Sequence, residues 1–472
     1  MALVAGVDSS TQSTTVEVRD AATGRLVARG AAPHPPVTPP CAEQEPEAWE
    51  RAFAAAWREA GEPRVAALSI AAQQHGLVAL DAAGRVIRPA KLWCDTTSAP
   101  DAAWLLSRGP GDAAGWARAC GQVPRAAHTI AKLSWLHRSE PESWARLERI
   151  CLPHDWLTWR LGGGFATDRG DASGTGYWSP AEERYRLDLL AVVDAGRDWA
   201  RSLPEVAGPW DRVGVWREGG GAALGPGTGD NMAAALGLGL APGEVAVSIG
   251  TSGTVYTVAE RPTADATGDV AGFADATGRF LPLVCTLNAA KVTDAVARLL
   301  GVDHEALDAL ALAAPPGARG LTLLPYLDGE RMPNRPEARG VLAGLRSDVS
   351  REDLARAAFE GVVCGLLDGL AALARVAPAG GPIALVGGGS GSRAYRRVLA
   401  DLSGRAVRVY EEAGSAVALG ACVQAAAALE QAPPAEVRAA WPRAAAAEVE
   451  PAPSVERDAV LAAYAARRER EG

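Results

Sequence analysis

Two short stretches of this 472-residue chain follow one pattern, and that repeat constrains the fold most. Residues 3–7 are apolar and read as a buried strand. Ser9-Ser10-Thr11-Gln12-Ser13 is a small-polar turn, and residues 14–18 alternate, with Val16 and Val18 on one face. Such alternation is the period of a half-buried strand. Residues 245–249 are again an apolar strand, Gly250-Thr251-Ser252-Gly253 a tight turn, and residues 254–258 a second strand. Laid on one another, Thr251 falls on Thr11, Thr254 on Thr14 and Val258 on Val18. A strand–turn–strand unit near the start of both halves predicts a duplicated domain. With the turn Ala21-Ala22-Thr23-Gly24 and a third strand beginning at residues 26–28, the chain opens as a β-meander and not as a strand leading into a helix.

Elsewhere the spacing predicts helices over 47–60, 131–137 and 143–150 and a buried strand over 65–71. The glycine-rich stretch 219–229 reads as a boundary or active-site loop. Later come a long helix over 351–377, a strand over 383–386, a glycine turn, a helix over 393–402 and a charged, peripheral helix over 457–471. At about 150 residues per domain the length fits two or three domains. The expected division is 1–240 for a first domain, 241–430 for a second and 431–472 for a helical extension.

The net charge of -9 and the lack of a basic block argue against nucleic acid and anionic membranes as partners. Seven scattered cysteines contain no C-x-x-C pair, which fits a reducing, cytoplasmic setting without a zinc site. The amino terminus lacks a basic n-region, and Asp8 ends its apolar run too early for a signal peptide.

Four constellations carry chemistry. The two polar turns offer closely spaced amides and hydroxyls, from Thr11 and Gln12 in one and Gly250 and Thr251 in the other, that suit phosphate oxygens. Asp8 ends the first strand and suits a magnesium ion held through water. Neither turn has the Walker pattern, and each taken alone reads as an ordinary hairpin. Asp230, beside Asn231, sits after Gly227-Thr228-Gly229 and before an apolar helix. It reads either as a helix cap or as a base accepting a proton from an attacking hydroxyl, help of about 10²–10⁴-fold. Gly387-Gly388-Gly389-Ser390 lies between a strand and a helix. Read from Gly389 it satisfies G-x-G-x-x-A, with Glu411 about 20 residues on, so a nicotinamide or flavin oxidoreductase competes; such a turn also lets the backbone approach an adenine or ribose in other folds, or simply joins a strand to a helix. Gln73-Gln74-His75-Gly76 follows a strand and suits sugar hydroxyls, with Trp93 to stack on a sugar face and Asp95 to accept its hydroxyls; a structural role for His75 and core packing for Trp93 are the ordinary alternatives.

These pieces resemble the FGGY carbohydrate kinases, in order, from residue 3 to about residue 425. The most specific block is Gly340-Val341-Leu342-Ala343-Gly344-Leu345 with Asp353-Leu354 and Ala357-Ala358-Phe359-Glu360. Thr129, Lys132, Leu133, Trp135 and Leu136 fit the amino-half signature, while Ala127 and Ser139 do not. Leu324-Pro325-Tyr326-Leu327, Gly329-Glu330-Arg331 and Asp171-Ala172-Ser173-Gly174-Thr175 are also similar to the family. The resemblance implies an α/β protein with the actin-like ATPase fold, two duplicated domains flanking a catalytic cleft. It implies ATP and Mg2+ as cofactors, Asp8 near the metal, Thr11 and Thr251 facing phosphates, Asp230 as the base, and Gly388, Gly389 and Ser390 along the adenosine. Gln74-His75 resembles the pair with which ketose-binding members hold D-xylulose, and glycerol-binding members carry Arg-Glu there. The implied product is D-xylulose 5-phosphate. Other ketoses and polyols stay open. The basic residue that many relatives carry shortly after the first turn is Thr15 here, which keeps a non-catalytic sugar sensor among the alternatives. The oligomeric state is open, with a homodimer the common arrangement.

Overall fold

A computed structural model describes residues 2–411, 415–443, 445–453 and 456–470. The chain forms two compact units, the first from 1–239, 260–281 and 415–442, the second from 240–259, 282–414 and 443–472. Residues 260–281 and 415–442 therefore return to the first unit. Of the expected extension, the helix Pro434–Ala440 lies in the first unit and the helix Arg457–Arg470 in the second.

The main sheet of the first unit runs Gly214–Trp216, Ala222–Leu224, Ala67–Ala72, Leu3–Ser9, Ser13–Asp20, Leu26–Pro33. The opening meander is antiparallel, as its short turns require. Leu3–Ser9 is parallel to Ala67–Ala72, and so is the short strand Thr228–Gly229 on the other side. Their registers are specific: Asp8 and Thr228 both lie opposite Ala71, Ser9 and Gly229 both opposite Ala72. Three strands thus end at one level, and the residues that follow or end them are Asp8, Gln73-Gln74-His75 and Asp230.

Alternation along the strands decides what covers each face. Ala5 and Val7 belong to a core that includes Trp49, Phe53 and Trp57 of the helix Pro46–Glu59. Gly6 points to the opposite face, where a Cβ would lie 2.2 Å from the carbonyl oxygen of Ala418 in the helix Ala416–Glu430. Ala71 meets Ala233 and Ala421 on that face. The helices Asp230–Leu238 and Ala416–Glu430 pack backbone to backbone there: a Cβ on Gly420 would be 1.9 Å from the oxygen of Ala233, and one on Gly237 2.1 Å from that of Ala416.

In the second unit, six strands run Phe280–Thr286, Gly253–Thr257, Glu244–Ile249, Gly380–Val386, Val407–Tyr410, Ala445–Val449. The repeated strand again has an antiparallel neighbour on one side and a parallel one on the other. The duplication therefore holds at the level of topology. The two turns differ by one residue: Ser9 pairs with Thr14, but Ile249 pairs with Gly253. Asp8 thus faces Thr15 and Ser248 faces Thr254, so Thr254 corresponds to Thr15 and not to Thr14.

Two further expectations change. The helix expected over 143–150 ends at Pro141–Arg146, because Leu147 turns to extended backbone and Arg149–Cys151 pairs with Val78–Leu80. The terminal helix Arg457–Arg470 is not peripheral, since Val460 and Tyr464 are buried and Arg468 pairs with Asp368 at 2.5 Å. Among the described residues one helix, Arg351–Ala374, is long and apolar enough to cross a membrane, and 72% of its apolar window is buried within the protein.

The backbone contact at Gly420 leaves no room for a methyl group. Gly420→Ala is expected to destabilise the protein by about 1–3 kcal/mol, read as a lower urea midpoint with an unchanged slope.

Candidate active site

The strand register sets out the site. Asp230 is the first residue of the helix Asp230–Leu238, whose N-cap is Gly229. Its side chain makes no capping bond to the second or third turn residue. Instead Oδ1 accepts from the amide of Asn231 and from Asn231 Nδ2, both at 2.8 Å. Asn231 Nδ2 also donates to Gln74 Oε1 at 3.0 Å. Gly229 permits this approach, because a Cβ there would be 2.7 Å from Gln74 Cγ. Gln73 Oε1 accepts from the Thr11 hydroxyl at 3.3 Å. Gln73 and Gln74 are buried, yet neither side-chain nitrogen has a hydrogen-bond partner among the described residues. An unmet buried donor costs about 1–3 kcal/mol, so two such donors near a carboxylate suit a ligand rich in hydroxyl oxygens. Asp230 keeps part of its surface open to solvent. Burial, then the nearby carboxylates of Asp8 and Asp171, push its pKa up to about 7. That places it where a base for neutral pH belongs.

His75 sits with positive φ, +66°, an uncommon conformation for a side chain of this size. The backbone is held there by Lys132 and Thr129, which donate to its carbonyl at 3.1 and 3.3 Å. Its Nδ1 lies 2.8 Å from the Gly174 carbonyl oxygen, which makes Nδ1 the donor and, in the neutral ring, Nε2 the acceptor. A Cβ on Gly174 would be 2.8 Å from the imidazole. The motif Asp171-Ala172-Ser173-Gly174-Thr175 therefore shapes the seat of His75.

Sequence reasoning missed the charged cluster beneath this site. His154 is fully buried, with Nδ1 2.8 Å from Asp171 and Nε2 3.0 Å from Asp155. Burial opposes its charge, but the facing Asp155 and Asp171 carboxylates hold its pKa well above the usual imidazole range. Gly227 lets the ring in, since a Cβ would meet His154 Cδ2 at 2.4 Å. Asp168 caps the helix Arg169–Ala172 and accepts from Thr228 at 2.7 Å. The only sequence signal was the tripeptide Pro153-His154-Asp155 seventeen residues before Asp171; nothing local says that they meet.

The remaining predicted residues are spread more widely. The Trp93 indole N–H donates to Thr11 Oγ1 at 2.9 Å, so Trp93 braces the first turn. Gln12 is exposed at that turn. Asp8, partly exposed, accepts from the Ser10 hydroxyl, and burial raises its pKa to about 6. Asp95 does not serve as expected. Its Oδ1 accepts from the amide and hydroxyl of Thr97, and its Oδ2 from Ala42 N and Lys91, which leaves no lone pair for a sugar. Among the described residues Cys41, Glu43 and Asp95 form a group of metal-ligating type. Two cations already balance its two carboxylates: Lys91 Nζ, 2.9 Å from Glu43 and 3.2 Å from Asp95, and Arg88, 2.8 Å from Glu43.

In the second unit the turn 250–253 and the loop after Gly380–Val386 lie side by side, because Ser248 pairs with Val386. A Cβ on Gly387 would be 2.7 Å from the Ile249 oxygen, and one on Gly389 2.5 Å from Ile249 Cγ2. Gly388 is different: a Cβ there meets nothing within 4 Å. Ser390 is buried and Thr251 exposed. The loop leads into the helix Arg393–Ser403 and the parallel strand Val407–Tyr410, with Glu411 next. That is a local βαβ unit, yet its sheet carries antiparallel strands and is not the doubly wound sheet of a dinucleotide fold.

Residues 3–237 match the N-terminal domain of the FGGY family of carbohydrate kinases, and residues 245–429 match its C-terminal domain. The chain belongs to the FGGY family of carbohydrate kinases. It is 47% identical to a xylulose kinase of Streptomyces rubiginosus over 97% of this chain and 93% of that one. It is 33% identical to a xylulose kinase of Haemophilus influenzae over 89% of each. The crystal structure of xylulose kinase from Bifidobacterium adolescentis superposes with a TM-score of 0.85 at 41% identity, covering 99% of both chains. Glycerol kinase from Plasmodium falciparum, 16% identical with a TM-score of 0.85 over 100% of this chain and 98% of that one, shares the fold. This FGGY protein thus has the actin-like ATPase fold and is a phosphotransferase with an alcohol group as acceptor. The oxidoreductase alternative at Gly389 falls with that membership.

A base at Asp230 would have to be ionised to accept a proton, so on that reading kcat/KM for the sugar is expected to fall below an apparent pKa near 7. Asp171→Asn removes one charge that raises this value. The acid limb of the pH–rate profile is therefore expected to move to lower pH, measured between pH 5 and 9.

Proposed function

We propose that this kinase transfers the γ-phosphate of ATP to the 5-hydroxyl of D-xylulose, giving D-xylulose 5-phosphate and ADP. The observation that carries the reading is the ionisable Asp230, fixed by Asn231 and set beside the unpartnered amide donors of Gln73 and Gln74. Xylulose kinases are also prominent among the relatives of this chain.

In this reading Gln74, His75 and Asn231 hold the ketose and Asp230 faces the hydroxyl to be phosphorylated. Its carboxylate takes the hydroxyl proton as the oxygen attacks the γ-phosphorus and the bond from that phosphorus to the ADP oxygen breaks. Amides of the turn 250–253 receive nucleotide phosphates, and the open space at Gly388, beside Gly389 and Ser390, takes the adenosine. Thr11 and Gln12 act through their backbone, since the Thr11 hydroxyl is already engaged by Gln73 and Trp93.

Magnesium fits Asp8. After burial, the carboxylates of Asp8 and Asp171 raise the proton affinity of Asp230, and the negative potential that the three acids accumulate suits a divalent cation. Bound there, the ion supplies positive charge to phosphate oxygens. Thr15 lies directly across the ladder from Asp8, so this chain offers no basic side chain at that point. The seven cysteines are free thiols, which fits a reducing cytoplasm.

Asp230→Asn keeps the shape and removes the base. Phosphorylation of D-xylulose is expected to fall by about 10²–10⁴-fold, with MgADP binding by calorimetry unchanged. A panel with D-ribulose, L-ribulose and glycerol is expected to place D-xylulose first in kcat/KM; an equal or better rate with another acceptor reassigns the sugar.

A further inference from the structure

We propose that Glu330 is a positioning residue which, through Asn288, holds the turn 250–253 in the shape that receives nucleotide phosphates. The proposal rests on the reading of that turn as a phosphate site.

Glu330 is buried in the second unit and accepts at both oxygens. Oε1 takes the amides of Leu287 at 2.6 Å and Arg331 at 2.7 Å, and Oε2 takes Asn288 Nδ2 at 2.8 Å. Asn288 Nδ2 also donates to the Gly329 carbonyl at 2.7 Å. The carboxylate thus fixes residues 287 and 288, which link the strand Phe280–Thr286 to the helix Ala290–Leu300. Burying a carboxylate is costly unless N–H groups surround it. Glutamine could not replace it evenly, because one of its two terminal atoms is a donor.

The next two residues reach the turn. The amide of Ala289 bonds to the Thr251 carbonyl at 3.3 Å, and that of Ala290 to the Gly250 carbonyl at 2.8 Å. In a trans peptide the C=O of one residue and the N–H of the next point in opposite directions. Drawing the carbonyls of Gly250 and Thr251 toward the helix start therefore turns the amides of Thr251 and Ser252 the other way, side by side. Successive amides presented like this form an anion-binding concavity. Burial raises the Glu330 pKa, while bonds from Asn288 and the surrounding amides oppose that rise, as expected of a carboxylate whose charge is in structural use.

The test uses the full-length protein, with ATP kinetics and calorimetric titration of MgADP and of D-xylulose. Glu330→Gln and Asn288→Ala are each expected to raise KM for ATP and Kd for MgADP about tenfold, the scale of one lost hydrogen bond to a charged group. The Kd for D-xylulose should stay within twofold. The double variant should lose less than the product of the two, because both act on one link. A KM for ATP within twofold of the parent in both variants overturns the proposal, as does a D-xylulose Kd that rises in step with it. Should Glu330→Gln fail to fold, Asn288→Ala decides alone. Thr251→Ala separates the layers. If it weakens MgADP binding while the other two do not, the turn binds phosphate and the positioning role is wrong. If all three bind MgADP as the parent does, the phosphate reading of the turn falls as well.

Discussion

The register among three parallel strand ends is the constraint on which the candidate site around Asp230 depends. Asp8 and Thr228 are both paired with Ala71, and Ser9 and Gly229 with Ala72. A shift of one residue in either pairing would turn every side chain of that strand to the other face. The register is secured by close approaches that only glycine allows: Gly6 against Ala418, Gly237 against Ala416, Gly420 against Ala233. These fix the depth at which the helix Asp230–Leu238 begins, and so the position of its first carboxylate.

Electrostatics add a second layer. Three carboxylates, Asp8, Asp171 and Asp230, accumulate near one another, and each is raised above the ordinary carboxylate range chiefly by burial. A buried imidazole whose protonated form is favoured sits against this group: His154, held between Asp155 and Asp171. The arrangement keeps Asp171 in place without neutralising Asp230, since the imidazole bonds to Asp171 directly. A carboxylate whose proton affinity has been lifted in this way suits the part of base proposed for Asp230.

The second unit uses the same strand topology for a different end. Its turn is one residue tighter, and at the position of Asp8 it carries Ser248. There the proposed phosphate ligands are backbone amides, beside the hydroxyls of Thr251 and Ser252, and side chains such as Glu330 and Asn288 are proposed to act on their orientation. Phosphate recognition by amides leaves little trace in composition, which explains why Gly329-Glu330-Arg331 could be noticed as a family motif but given no task from sequence.

What the sequence determined by itself was local and periodic. The β-meander, the repeated hairpin, the apolar helix that follows Asp230 and the glycine-rich loops follow from apolar spacing and turn chemistry within a few residues. Asp8, Gln74 and His75 stood out because polar groups end or follow apolar strands, and Asp230 because it lies between a glycine-rich loop and an apolar helix. Tertiary structure alone decided which of them have groups left for a ligand. Asp95 looked available until Lys91, Thr97 and Ala42 took its lone pairs. His154 looked ordinary until folding brought Asp171 to it across seventeen residues. Hydrogen bonds and ion pairs between distant segments depend on packing that no local pattern encodes, and those contacts set both the charge of Asp230 and the shape of the turn at Thr251.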